Sequence, residues 1–143
     1  MASRPMIAVC EREEVWRVRL TRFLAHRHRI VPIAELASWR AEARPVAWLA
    51  VELTIDVAAE IACELNYLRL DAVAPRVVLL GGNQCVAWGW QLRAMGAAAW
   101  IRSPLELAMF VPLFDRHEAH PALASDPLTT DDIARHLPEG WDL

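Results

Sequence analysis

The chain has 143 residues, 55% of them hydrophobic and 23% charged, which is enough apolar material for one domain with a real core and argues against disorder. The formal net charge of −3 gives no global attraction for nucleic acid or an anionic membrane, and the longest apolar runs, such as Val77 to Leu80, are strand-sized rather than membrane-spanning. All 15 Lys+Arg positions are arginine, so any chemistry that needs a lysine ammonium is excluded.

Residues 1–5 run straight into a strand-like segment with no signal-peptide pattern, and a cytoplasmic protein is expected. Met6 to Cys10 reads as the first strand. Acidic residues from Glu11 to Glu14 suit the start of a helix. Val15, Trp16, Leu20, Phe23 and Leu24 then recur at helical spacing through about His26. Arg29-Ile30-Val31 is a short second strand. Ala34 to Ala43 has helix-forming composition and ends at Pro45. The continuous apolar run from Val46 to Val51 is typical of a central strand buried on both faces.

Asp56 is placed to cap a third helix running to about Leu70. Val77 to Leu80 is the fourth strand, closed by Gly81-Gly82. Asn83 is placed to cap a fourth helix through Met95, which Gly96 ends. Ala98 to Ile101 is the fifth strand, and Leu105 to about His117 is the fifth helix, with Pro112 expected to kink or split it. Five β-α units in this order predict an α/β fold, a doubly wound parallel sheet with helices on both faces. The domain occupies residues 1–120; residues 121–143 form a tail, with one short helix expected from Thr130 to Leu137.

In such a sheet, chemistry gathers at the carboxyl ends of the strands. Those ends carry Cys10-Glu11, Glu52, Gly81-Gly82 and Arg102-Ser103. Between about Met6 and His117 the chain resembles the CheY-like receiver domains of bacterial response regulators. The best segment is Gly96-Ala97-Ala98-Ala99-Trp100-Ile101-Arg102-Ser103-Pro104. It is similar to the receiver pattern of Gly-Ala, two variable residues, an aromatic, an aliphatic, any residue and Lys-Pro, with Ser103 where the Lys belongs. Glu52 stands where the phosphoacceptor Asp is expected, Gly81 where a Thr or Ser is expected, and Cys10 where one of two acidic residues is expected; Glu11 keeps the other.

The resemblance implies a flavodoxin-like sheet of strand order 2-1-3-4-5, a switch aromatic at Trp100 and a cis bond before Pro104. It also implies that phosphotransfer is lost. The carboxylate of Glu52 is one methylene longer than an Asp and is misplaced for attack, a process that depends on placement at the ångström level. A thiol at Cys10 is a soft ligand poorly suited to Mg²⁺, and the Lys and hydroxyl that hold phosphoryl oxygens are missing. Glu52 is either a built-in mimic of a phosphorylated Asp or a tolerated polar residue. The second reading is preferred, because a carboxylate lacks the charge and oxygens of a phosphoryl group. With Gly81 removing side-chain bulk, an inward, static Trp100 is expected.

Trp88 and Trp90 lie two apart and cannot share a helical face, so at least one is expected at the surface or an interface. With Met109 and Phe110 they bring large apolar side chains to the side of the fourth and fifth helices. A two-fold homodimer through that face is therefore expected, with Arg93 and Glu106 at its rim. His26, Arg27, His28 and Arg29 read as a solvated basic cluster, and Cys10, Cys63 and Cys85 as reduced packing residues. His117 and His120, cut off by Pro121, do not read as a metal site. No Ser-His-Asp or G-x-S-x-G arrangement suggests hydrolysis.

The reading is a non-enzymatic pseudo-receiver, independent of phosphorylation, needing no cofactor or metal and acting through a protein partner rather than nucleic acid or membrane. The alternative is a flavodoxin-like domain binding an anion on the backbone N–H groups of Gly81-Gly82-Asn83.

Overall fold

The apolar run at the centre of the chain dictates a sheet covered on both sides. In the computed structural model, which describes residues 4–71 and 73–119, this run is strand β3 (Val46–Glu52). Its side chains alternate: Trp48 and Ala50 enter one apolar layer, Leu49 and Val51 the other. Around it lie β1 (Met6–Cys10), β2 (Arg29–Pro32), β4 (Arg76–Leu80) and β5 (Ala99–Ile101). All pairings are parallel and the order is β2-β1-β3-β4-β5, as the sequence predicts.

Among the described residues, four α-helices cover the sheet: α1 (Val15–Leu24), α2 (Ala58–Leu68), α3 (Val86–Ala94) and α4 (Leu107–Ala119). Trp16, Leu20 and Leu24 of α1, with Leu107 and Phe114 of α4, pack on the face that carries Ile7, Trp48 and Leu80. Ile61, Leu65 and Leu68 of α2, with Leu92 of α3, pack on the face that carries Leu49, Val51 and Leu79. Each such side chain contributes roughly 1.5–3 kcal/mol when fully buried. Phe114 meets Trp48 edge to face, with centroids 5.1 Å apart, and the Phe114 carbonyl accepts the Trp48 indole N–H at 3.3 Å.

The second predicted helix is reduced to a 3₁₀ segment, Leu36–Ala41. Only Leu36 in it is buried, so no apolar stripe repeats at helical spacing to hold a longer helix. Instead Trp39 Nε1 and Arg40 Nη2 donate to Glu64 Oε1 of α2 at 2.7 and 2.5 Å, and the Arg40 guanidinium lies 4.3 Å from the Tyr67 ring centroid. The helices expected fourth and fifth are thus α3 and α4.

Neither expected helix cap forms. Asp56 pairs with Arg12 at 2.8 Å, and α2 starts after Val57. Asn83 bonds to Arg102, and α3 starts after Cys85. Gly96 does end the α3 unit, with φ of 121°, where an L side chain is strained.

Helix α4 runs unbroken past Pro112, so the proline does not split it. A Pro ring removes one N–H, here the partner of the Ala108 carbonyl. Both residues are exposed, so water can satisfy that carbonyl. A short 3₁₀ turn, Pro104–Glu106, leads into α4, and the described residues contain no cis peptide bond, so Ser103–Pro104 is trans. Ser103 is extended, as a residue before Pro prefers, and its Oγ accepts the Leu105 N–H at 3.3 Å; the trans bond sets Pro104 at the first position of the turn.

The basic cluster is only partly solvated. His26, Arg27 and Arg29 are exposed, but His28 is buried, with Nε2 3.4 Å from the Phe114 carbonyl oxygen. That position packs against Phe114 of α4, where sequence alone shows no burial pattern. Of the cysteines, Cys85 is buried, Cys10 is half-buried and Cys63 is exposed, on the outer side of α2. The tail expected at 121–143, its short helix, and the side chains of His117 and His120 lie outside the described residues. No described helix is long and apolar enough to cross a membrane.

Candidate functional site

The strand order reverses between β1 and β3, and a cavity of about 420 Å³ opens at their carboxyl ends. Cys10, Glu11 and Glu52 line it as the sequence predicts, joined by Arg12, Thr54 and Glu60. Gly81 and Ser103 do not line it.

The acidic residues do not converge. Both oxygens of Glu11 turn to the open end of α1, accepting the backbone N–H groups of Trp16 and Arg17 at 2.9 and 2.8 Å. Those N–H groups would otherwise lack partners, and a carboxylate there also favours the helix dipole. Glu52 accepts the backbone N–H of Arg12. The Arg12 side chain crosses to Asp56, joining the loops after β1 and β3. Burial and then the Glu11 charge push the Glu52 carboxyl up from its ordinary value, against the pull of the Arg12 N–H. Burial pushes the Cys10 thiol up too, followed by the charges of Glu60, Glu52 and Glu11.

At the end of β4, Gly81 and Gly82 have φ of 71° and 82°. A Cβ on Gly82 would stand 2.7 Å from the Leu53 side chain, so the turn needs glycine sterically as well as conformationally. The Gly81 carbonyl points to β5, where it accepts the Trp100 indole N–H at 2.6 Å. The Trp100 ring lies against Gly89 of α3, meets Trp90 edge to face at 5.5 Å, and has the Arg102 guanidinium 4.8 Å from its centroid. The half-buried Trp100 is therefore held by one hydrogen bond and by contacts with Gly89, Trp90 and Arg102. Ser103 faces its own turn rather than the cavity.

Compared with known proteins, no family model matches the chain, and no curated protein matches its sequence. Solved structures do match. A CheY-like protein, TadZ, from Pseudomonas aeruginosa PAO1 superposes with a TM-score of 0.61 at 15% identity, over 90% of this chain and 98% of that one. Full-length FixJ from B. japonicum gives 0.65 at 10% identity, over 87% and 62%. A response regulator from Burkholderia pseudomallei, whose structure carries a phosphorylated aspartic acid and a calcium ion, gives 0.55 at 20% identity, over 92% and 81%.

The chain has the CheY-like receiver fold.

A divalent cation is the natural companion of the acidic strand ends in this fold, and the residues present do not fit one. Glu11 is occupied by α1, Glu52 by a backbone N–H, and Cys10 offers sulfur, a poor partner for a hard cation. Among the described residues, no three His, Cys, Asp or Glu side chains are placed to hold a metal.

Sequence reasoning missed Arg12, Asp56, Thr54 and Glu60, since nothing in their spacing marks them. Only the fold brings the two loops together. It also placed Trp88 at the interface, whereas Trp88 packs on the core beside α2 and Trp90 alone is outward, 64% exposed. The reading that at least one of the pair is exposed holds.

The raised Glu52 carboxyl has a consequence for stability. A group that binds its proton more tightly when folded makes the folded state lose stability as pH rises, from the unfolded value near 4.5 through the folded one. Glu52→Gln keeps an oxygen for the Arg12 N–H and removes the charge. It is expected to melt higher than the natural protein at pH 7, with the advantage vanishing below pH 4.5. Thermal denaturation across pH checks this; a lower Tm for the variant at pH 7 contradicts it.

Proposed function

We propose that this chain is a phosphorylation-independent pseudo-receiver, a non-enzymatic signalling module that acts by protein–protein contact. The observation that carries the reading is the Trp100 indole bond to the Gly81 carbonyl. In the receiver resemblance, Gly81 stands where a hydroxyl would report the phosphoryl group, and Trp100 stands at the switch aromatic. Here the aromatic is tied inward by the backbone itself, with no modification required.

The strand ends support the same reading. The Burkholderia regulator carries its phosphoryl group on an aspartic acid, whereas β3 of this chain ends on Glu52. Cys10, Glu11 and Glu52 line a degenerate phosphoacceptor pocket, with Gly81 and Ser103 at the neighbouring strand ends outside it. Glu52 is a tolerated polar residue there rather than a phosphate mimic, since its partner is a backbone N–H. The output surface is the α3–β5–α4 face, where Trp90, Met109 and Phe110 line one groove. Its occupant is a signalling protein or a second copy of the chain. Unpaired cysteines suit a reducing compartment such as the cytoplasm.

One observation favours the anion-binding alternative: a cavity of about 510 Å³ beside Gly82 and Asn83 includes Arg12 and Thr54, whose Oγ1 is buried without a partner. Against it, the Asn83 side chain is already committed to Arg102 at both ends.

The test is incubation with acetyl phosphate and Mg²⁺, read by intact mass. The expected mass is unchanged. A stable gain of one phosphoryl group that disappears in Glu52→Gln overturns the proposal.

A further inference from the structure

Parallel strands put all their amino ends on one edge of the sheet, the edge opposite the site described above. There a hollow of about 200 Å³ opens between the last turns of α2 and α3 and the start of β4. Leu65, Leu68, Pro75 and Met95 give it apolar walls, and the exposed Arg69 and Arg76 stand beside them. Leu70 and Val73, 91% and 85% exposed, belong to the same connection between α2 and β4. Neither arginine is in an ion pair with another described residue. The Arg76 guanidinium lies 5.4 Å from the Trp48 ring centroid, and the nearest carboxylate in sequence, Asp71, accepts the Val73 N–H.

The chain itself carries the complement of this hollow. Beyond Ala119 lie five of its 18 acidic residues but one of its 15 arginines. Within that stretch Asp131 and Asp132 precede Ile133 and Leu137, which are four apart and share one face of the short helix expected there. The tether starts at the right edge. Arg27, just before β2, pairs with Asp115 at 2.9 Å, which sets the end of α4 at the amino ends of the strands. Phe114 of α4 touches the same Trp48 ring that Arg76 covers. The 12 residues from Ala119 to Asp131 span up to roughly 40 Å when extended, against a radius of gyration of about 13 Å for a domain near this size. A segment tethered this closely acts at an effective concentration of about millimolar, so modest contacts suffice.

We propose that the acidic segment from Asp131 to Leu137 folds back over the amino edge of the sheet and docks in this hollow. Ile133 and Leu137 then cover Leu68 and Met95, and Asp131 and Asp132 pair with Arg69 and Arg76, whose planar guanidinium groups suit carboxylates. The contact lies at the opposite edge of the sheet from Glu52, so it does not rest on the proposed function.

The experiment uses the full chain, changes the body and reads the tail. Hydrogen exchange followed by NMR is expected to show the amides of Ile133 to Leu137 protected. Arg69→Glu, an exposed change that removes no described side-chain hydrogen bond, is expected to speed their exchange by up to about fivefold, the effect of losing one solvent-edge ion pair. Adding Asp132→Arg to that variant restores opposite charges and is expected to recover most of the protection. In the other direction, Leu137→Ser is expected to shift the amide resonances of Leu70, Val73 and Gly96, with circular dichroism as the check on folding.

Unprotected tail amides in the natural chain, tail exchange indifferent to Arg69→Glu, or Leu137→Ser shifts that fall on another face overturn the proposal. So does protection that rises with protein concentration, which would put the tail of a second copy in the hollow.

Discussion

Phe114→Ala is expected to cost about 3–5 kcal/mol of folding stability, the range for deleting a large buried aromatic. Phe114 is fully buried on α4 and is in edge-to-face contact with Trp48, itself fully buried at the centre of the sheet. The side chain therefore ties the last described helix to the central strand. Removing it leaves a cavity walled by β-sheet side chains that cannot collapse far. Phe114→Leu keeps most of the volume and is expected to cost about 1.5 kcal/mol or less. Urea denaturation of both variants measures the difference. Equal midpoints for Phe114→Ala and the natural protein would mean that α4 is not packed as described.

Gly89→Ala separates two opposed effects. Alanine in a helix interior is favoured over glycine by about 0.5–1 kcal/mol. Yet a Cβ at position 89 would stand 2.5 Å from two carbons of the Trp100 ring. That ring cannot simply swing away, because its N–H holds the Gly81 carbonyl and its neighbour is Trp90. Overpacking of this kind costs about 1–3 kcal/mol, so the clash is expected to win. The variant is expected to be less stable than the natural protein, with a shifted Trp emission as the indole bond breaks. In a Trp100→Leu background the clash disappears, and Gly89→Ala is expected to become neutral or stabilising. This change of sign distinguishes a specific ring contact from a general intolerance of α3.

The fold was legible because apolar runs and glycine turns report on local physics. Val46 to Val51 has the continuous apolar run typical of a strand buried on both faces, and Gly81-Gly82 and Gly96 mark breaks that their positive φ angles explain. The strand ends were legible for the same reason, since each follows directly from a strand. What the sequence concealed depends on partners far along the chain. Asp56 and Asn83 have the side chains of helix caps, yet each finds an arginine brought near by folding: Arg12 is 44 residues away and Arg102 is 19. Glu11 looked like a retained ligand because its spacing from α1 does not reveal which way its carboxylate turns. His28 sits among charged neighbours in sequence, and only the packing of α4 over it makes it a core residue. Trp88 and Trp90 differ by two positions and by opposite sides of one helix, which periodicity could separate but not orient.

The account stands on Trp100 being held inward by the backbone rather than by a phosphoryl signal. The ¹⁵N–¹H indole resonance of Trp100, assigned through Trp100→Phe, reports this directly. It is expected to be a single peak, slow to exchange with solvent because of the bond to the Gly81 carbonyl, and unmoved when beryllofluoride and Mg²⁺ are added. A peak that shifts or splits on addition, together with faster solvent exchange in the untreated protein, would show a working switch and contradict the account.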